Sequence, residues 1–251
     1  MGIRGDTFKT YIESCGEFIN MQIIPAINCV DFNCVKEKLR KVKEIGADWA
    51  QIDIADGKFT LHKTWNNPKE LSAVKGQLSD VNLEIHLMVE NPQDVVDDWI
   101  KTGAKRIIIH HEAIVSSAKT HPDNNEIDIL NFILEKCEVG NVNVELGLAI
   151  NPETSAEELT PHLDKIRFIQ ILAVNPGLAG QQFKAETLDK IKFIKELNDA
   201  YFDSIIVEVD GGINLEMAKL CKKAGADILA AASYIWNSEN PKKSFEELNI
   251  I

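Results

Sequence analysis

Several phrases in the chain set polar, chemistry-bearing side chains at the ends of apolar, β-branched runs. Gln51-Ile52-Asp53-Ile54-Ala55-Asp56-Gly57 reads as a strand, whose side chains alternate between two faces. Ile52 and Ile54 suit a layer packed on helices, which turns Gln51 and Asp53 to the opposite side. A carboxylate buried there is costly unless it is paired, bound to a metal or used in chemistry. A structural ion pair is the plain alternative for Asp53, and Asp56-Gly57 reads as turn chemistry. In Glu84-Ile85-His86-Leu87-Met88, His86 and Met88 share the face of Glu84. Glu208-Val209-Asp210-Gly211-Gly212 ends a strand with an acid and two glycines, where backbone can approach a ligand closely. A strand histidine alone is more often a core residue than a ligand. Together, Asp53, His86 and Asp210 make a convergent set of oxygen and nitrogen donors from three strands.

A second group of phrases suits an anion. Asn175-Pro176-Gly177-Leu178-Ala179-Gly180-Gln181 can aim several backbone N–H groups at a phosphate. Ala230-Ala231-Ala232-Ser233 offers small residues before a turn, and Gly211-Gly212 lies after the preceding strand. Each loop alone is equally well an ordinary tight turn; adjacent to one another they point to phosphate. Gln181 either orients its loop or opens a solvent-facing helix. His110 and His111 read as the end of a strand, so at most one faces inward, and both are taken as structural. His62, His121 and His162 carry no special signal.

The elements that must position these residues recur along the chain. Apolar β-branched runs at 22–27, 49–54, 83–89, 106–110, 142–150, 167–174, 205–209 and 227–231 predict strands. Helical periodicity follows at 31–45, 68–78, 91–102, 127–137, 155–163, 185–199, 215–224 and 241–248, with 116–125 a polar loop. Asp31 is the expected N-cap of the first helix. Gly46-Ala47-Asp48, Gly103-Ala104-Lys105 and Gly225-Ala226-Asp227 close helices just before strands. Eight such units predict an α/β fold, a (β/α)8 TIM barrel, with chemistry at the C-terminal ends of its strands. An open doubly wound sheet is the rival, and its GxGxxG fingerprint does not follow the first run. Residues 1–20 read as an N-terminal extension of unassigned role, and 21–251 as a single barrel domain.

A net charge of −12 argues against general affinity for nucleic acid or anionic membrane, yet permits a local phosphate nest. No run reaches the length of a membrane span, and the opening residues have no signal-peptide core. Cys15, Cys29, Cys34, Cys137 and Cys221 form no CxxC pair, so they read as reduced thiols of a cytoplasmic protein. Oligomeric state is not encoded in any pattern here, and a homo-oligomer is compatible with it.

The order and spacing of these phrases resemble the ribulose-phosphate 3-epimerase family, from about residue 24 to 236. The likeness is carried by Gly46-Ala47-Asp48-Trp49 with Asp53 and Asp56-Gly57, and by His86-Leu87-Met88-Val89-Glu90-Asn91-Pro92. It continues through Gly147-Leu148-Ala149-Ile150-Asn151-Pro152, Val174-Asn175-Pro176-Gly177 with Gly180-Gln181, and Val209-Asp210-Gly211-Gly212-Ile213-Asn214. The resemblance implies C3 epimerisation of a pentulose or hexulose phosphate, with Asp53 and Asp210 as the paired base and acid. It also implies a divalent metal cation (Zn, Fe, Mn or Co) on Asp53, His86 and Asp210, with Gln51 standing where the family has a second histidine. The phosphate would rest on Gly177, Leu178, Ala179, Gly180, Gly211, Gly212, Ala232 and Ser233. Ala26 replaces a serine and Asn28 follows in a usually apolar stretch. Ala55 and Leu172 replace methionines, Leu178-Ala179 a phenylalanine–glycine pair, and Ala232 a glycine. These departures keep two other readings open: a weak or inactive sugar-phosphate-binding relative, and a barrel lyase acting on a related phosphate.

Overall fold

Each strand turns an aliphatic face outward to the helices, and parallel pairing buries both faces, the inner one including polar residues of several strands. In the computed structural model, residues 21–251 are described except 75, 77–80, 121–124, 139–143 and 203. The strands are β1 (Gln22–Ile27), β2 (Trp49–Ala55), β3 (Asn82–Met88), β4 (Arg106–His110), β5 (Glu145–Ile150), β6 (Phe168–Leu172), β7 (Ile206–Asp210) and β8 (Ile228–Ala231). They pair in parallel in chain order, and β8 returns to β1 to close the expected barrel. The N-terminal extension lies outside the described residues.

Helix boundaries obey local chemistry. Helix α1 (Phe32–Ile45) starts where the Asp31 carboxylate accepts from the N–H groups of Asn33 and Cys34, and stops at Gly46 with φ 82°. Of the expected helix after β2, α2 spans Pro68–Val74, and residues 75, 77 and 78 of that expectation lie outside the described set. Asn91-Pro92 opens a 3-10 turn (Pro92–Asp94) before α3 (Val96–Ile100). The stretch expected as a strand end and polar loop instead forms α4 (His111–Thr120). Its buried face mixes His111 and Ser117 with Ala113 and Ile114, which hides the apolar period. Then come α5 (Glu126–Glu138), α6 (Thr187–Leu197), α7 (Leu215–Ala224), α8 (Ser233–Trp236) and α9 (Pro241–Asn249). After β5 the connection is a 3-10 helix (Ala156–His162), which contains Pro161. That ring has no N–H to give to an α-helical ladder.

The barrel has two cores. Outward strand residues such as Ile52 and Ile54 pack with Val35, Leu39, Val42 and Ile45 of α1 in a large apolar shell. Inside, Ile24, Ile108, Ala149, Phe168, Leu172 and Ile228 form a small apolar plug. Beside it lies a buried charged network: Arg106 donates from Nη1 to Glu84 (2.5 Å) and from Nε to Glu145 (2.8 Å). Its guanidinium carbon lies 3.7 Å from the Phe168 ring centroid and 4.7 Å from that of Trp49. Burial raises Glu84, and burial together with the Glu84 charge raises Glu208 well above the ordinary carboxylate range. Both effects favour the protonated form of Glu208.

One expectation needs correction. Cys29 and Cys34 are joined in a disulfide, while Cys137 and Cys221 are free and buried. The turn capped by Asp31 folds α1 back on the end of β1 and brings their Cα atoms to 5.8 Å, inside bonding range. Cys15 lies outside the described residues.

Candidate active site

Three strand ends bring the expected acids and imidazole together. One donor atom each from Asp53 (β2), His86 (β3) and Asp210 (β7) lie within 4.8 Å of one another. Gln51, fully buried two residues before Asp53, bridges the two acids. Its amide nitrogen donates to Asp53 Oδ1 at 2.8 Å and to Asp210 Oδ2 at 2.9 Å. Ionised carboxylates only accept, so charge turns the NH2 end of Gln51 toward them. The Gln51 oxygen accepts from Gln170 Nε2 at 2.8 Å, and the same nitrogen donates to Glu208 at 2.6 Å. The amide in the mouth is thus coupled to the floor of the barrel.

His86 Nδ1 faces the same two oxygens, at 3.3 Å from Asp53 and 3.4 Å from Asp210. Burial alone would favour neutral imidazole, but hydrogen bonds to Asp210 and Asp53 outweigh it and push His86 up to about 10. At neutral pH both of its nitrogens then carry protons, and Nε2 donates to His110 Nε2 at 2.9 Å. Burial and the His86 charge hold His110 below its ordinary value, so it is neutral with its proton on Nδ1, facing Glu112 at 3.3 Å. Glu112 is drawn down to about 2 despite burial, by His110, the Thr154 hydroxyl and the Asn151 N–H. Asp210 is raised, by burial first and then by the Asp53 charge, although His86 and Gln51 oppose the shift.

An imidazole and two carboxylates fit a first-row divalent metal. Asp53, His86 and Asp210 can hold one once His86 Nδ1 gives up its proton. Gln51 in its present orientation offers protons to the acids, and serves as a ligand only after its amide turns. A joint turn of Gln51 and Gln170 keeps the chain bonded, because protonated Glu208 can then donate to the Gln170 oxygen.

The expected phosphate-binding residues gather as one wall of the same cleft. Gly177, Leu178, Ala179, Gly180, Gly211, Gly212, Ala232 and Ser233 line it together with Asp53, His86 and Asp210. Gly211 and Gly212 have φ of 101° and 67°. A Cβ on Gly211 would fall 2.3 Å from Val174 Cγ2, and one on Gly212 would fall 2.7 Å from the Phe183 backbone nitrogen. No larger residue fits either position without displacement. Gln181 braces the facing loop, donating to the carbonyls of Asn175 (2.6 Å) and Leu178 (2.8 Å), and it does not open a helix.

Asn28, His110, Glu112 and Gln170 belong to this assembly and were not among the expected site residues. Asn28 ties acid to phosphate loop, donating to Asp53 Oδ2 (3.1 Å) and to the Gly177 carbonyl (3.2 Å). Gln170 was the most visible signal: it is the one polar residue in the run Phe-Ile-Gln-Ile-Leu of β6. His110 faces inward and stacks on His86 with centroids 5.0 Å apart, whereas His111 belongs to α4.

Comparison with known proteins agrees with this geometry. The profile of the ribulose-phosphate 3 epimerase family matches residues 22–236. A protein named ribulose-phosphate 3-epimerase from Chlamydia trachomatis is 35% identical over 220 residues, covering 87% of each chain. One of the same name from Bacillus subtilis is 31% identical over 229 residues, covering 91% of this chain and 98% of its own. Among solved structures, 3-hexulose-6-phosphate synthase from Salmonella typhimurium superposes with a TM-score of 0.63 at 9% identity, over 92% of this chain and 97% of that one. Orotidine 5'-phosphate decarboxylase from Pyrococcus horikoshii gives 0.60 at 12% identity, over 91% and 97%. At such identities these two speak for the barrel alone. With the profile spanning most of the sequence and the acids, imidazole and glycine loops in one cleft, the chain belongs to the ribulose-phosphate 3-epimerase family.

Proposed function

We propose that the protein is an isomerase inverting C3 of a ketose phosphate, with a pentulose phosphate as substrate. The observation that carries this reading is the pair Asp53 and Asp210, on separate strands, lining one cleft beside a glycine-rich wall. The phosphate accepts from backbone N–H groups of 177–180, 211–212 and 232–233, which aims the sugar carbons at the acids. Asp53 removes the C3 proton on one face, and Asp210 delivers a proton to C3 on the other. The raised Asp210 suits the proton-carrying role, and the reverse reaction exchanges the two. Gln51 and His86 hold both carboxylates at a fixed separation. A divalent metal on Asp53, His86 and Asp210 would supply positive charge to the enediolate oxygens.

Incubation with D-ribulose 5-phosphate in heavy water tests this, and deuterium at C3 of recovered substrate and product is the expected outcome. Exchange absent with every divalent metal, in protein that still binds the sugar phosphate, would leave the second reading. That reading, a sugar-phosphate binder with little turnover, is favoured by the Gln51 amide between the acids. The remaining parts of the proposal are coarser: one barrel domain over 21–251 preceded by an extension, and a cytoplasmic setting. The setting rests on cysteine spacing, and the Cys29–Cys34 bond runs against it at that pair. No described helix is long and apolar enough to cross a membrane.

A further inference from the structure

On the helical flank of the barrel a second set of metal-binding side chains converges. His111 opens α4, Glu126 opens α5, and His162 ends the 3-10 helix after β5. One ligand atom from each lies within 4.8 Å of the others. Both histidines are 3% exposed, with ring centroids 5.5 Å apart and planes tilted by 53°.

The wiring of His111 distinguishes a ligand from a packing residue. Its Nε2 faces Glu158 Oε2 at 3.3 Å, while its Nδ1 is buried with no hydrogen-bond partner among the described residues. Buried imidazoles in a core are ordinarily satisfied at their polar atoms. Donation from Nε2–H to Glu158 leaves Nδ1 as a bare lone pair. This is the tautomer of a metal-binding histidine, whose other nitrogen is held by an outer carboxylate.

We propose that His111, Glu126 and His162 form a binding site for a divalent transition metal, separate from the acids of the barrel mouth. Two imidazoles and one carboxylate are a zinc ligand set with a fourth position left for water. The ligands come from three separate elements, so a bound ion would clamp α4, α5 and the 3-10 helix together. His111 directly follows His110, the residue against His86, so the clamp would also fix the end of β4.

Zinc alone is the probe. The full chain carrying Asp53→Asn and Asp210→Asn, which weakens the mouth site, should still bind one zinc per chain by calorimetric titration. Adding His162→Gln or Glu126→Gln should weaken that binding at least about tenfold. Zinc at a hundred times its Kd should raise Tm by about 5–10 °C, and this rise should vanish in the His162→Gln chain. Crystals of the unsubstituted chain soaked in zinc should show an anomalous peak between His111 and His162. A peak in the mouth with none on the flank overturns the proposal, independently of how any variant folds. Zinc binding to the mouth double variant that is indifferent to His162→Gln, in chains with matching circular dichroism, also overturns it.

Discussion

Gln51→His measures how strongly the amide competes with a metal for the two acids. For a cation to sit on Asp53, His86 and Asp210 in the present chain, the Gln51 amide must leave both carboxylates, to which it donates at 2.8 and 2.9 Å. Hydrogen bonds to charged groups contribute about 1.5–3 kcal/mol each, so the competition costs about 3–6 kcal/mol. At about 1.4 kcal/mol per decade, that weakens metal binding by about 10²–10⁴-fold. The proton on His86 must also leave, but it does so in either chain and cancels from the comparison. Histidine at 51 removes the competing donor and adds a nitrogen ligand, which restores the family's implied two-histidine, two-aspartate set. Chelator-stripped protein titrated with Mn2+ or Zn2+ should therefore bind at least about a hundredfold more tightly after Gln51→His. Metal-stimulated C3 exchange should appear at correspondingly lower concentrations. Equal affinities within about threefold would refute the reasoning. They would mean that the amide turns freely and that Gln170 does not fix it.

Two further outcomes rest on the same geometry. His86 is raised from 6.5 to about 10, so its contribution to stability is complete below pH 6.5 and is lost as pH rises through about 10. Metal-free protein should therefore lose Tm across pH 7–10 by several degrees more than His86→Asn does; parallel curves would contradict the imidazolium. Gly211→Ala combines a φ of 101° with a Cβ placed 2.3 Å from Val174, and should destabilise by about 2–5 kcal/mol while raising KM for the sugar phosphate. A variant with unchanged Tm and KM would show that the glycine wall is not the phosphate cradle.

The barrel was legible because its signal is repetitive. Each unit pairs a strand with a helical stretch, three helices carry a side-chain cap (Asp31, Asn214, Asn240) and three returns a glycine (Gly46, Gly103, Gly225), so local choices agree with the global fold. Asp31 and Gly46 bound α1 as their residue types require. Legibility failed where polar residues face the protein. Helix α4 buries His111 and Ser117, and a reading based on apolar period passes over it. The disulfide was missed for a related reason: a separation of five residues becomes a contact only because the Asp31 cap reverses the chain.

Strand alternation and the rule that barrel chemistry sits at strand C-termini were enough to place Asp53, His86 and Asp210 in one mouth. They could not assign what Gln51 does there, because one side chain presents either an oxygen or a pair of protons. The two carboxylates take its protons, which leaves the Gln51 oxygen to accept from Gln170, 119 residues away and itself bonded to Glu208. The protonation of His86 depends in turn on two acids from strands that flank β3 at different distances around the barrel, and the bare nitrogen facing it depends on His110 and Glu112. Each of these is a question of where protons reside, and burial and charge across the closed sheet answer it. Divergence at such a centre can therefore pass through residues that never touch substrate. Replacing Gln170 or Glu208 is expected to retune the mouth, since the amide that bridges the two acids is bonded to Gln170 and through it to Glu208.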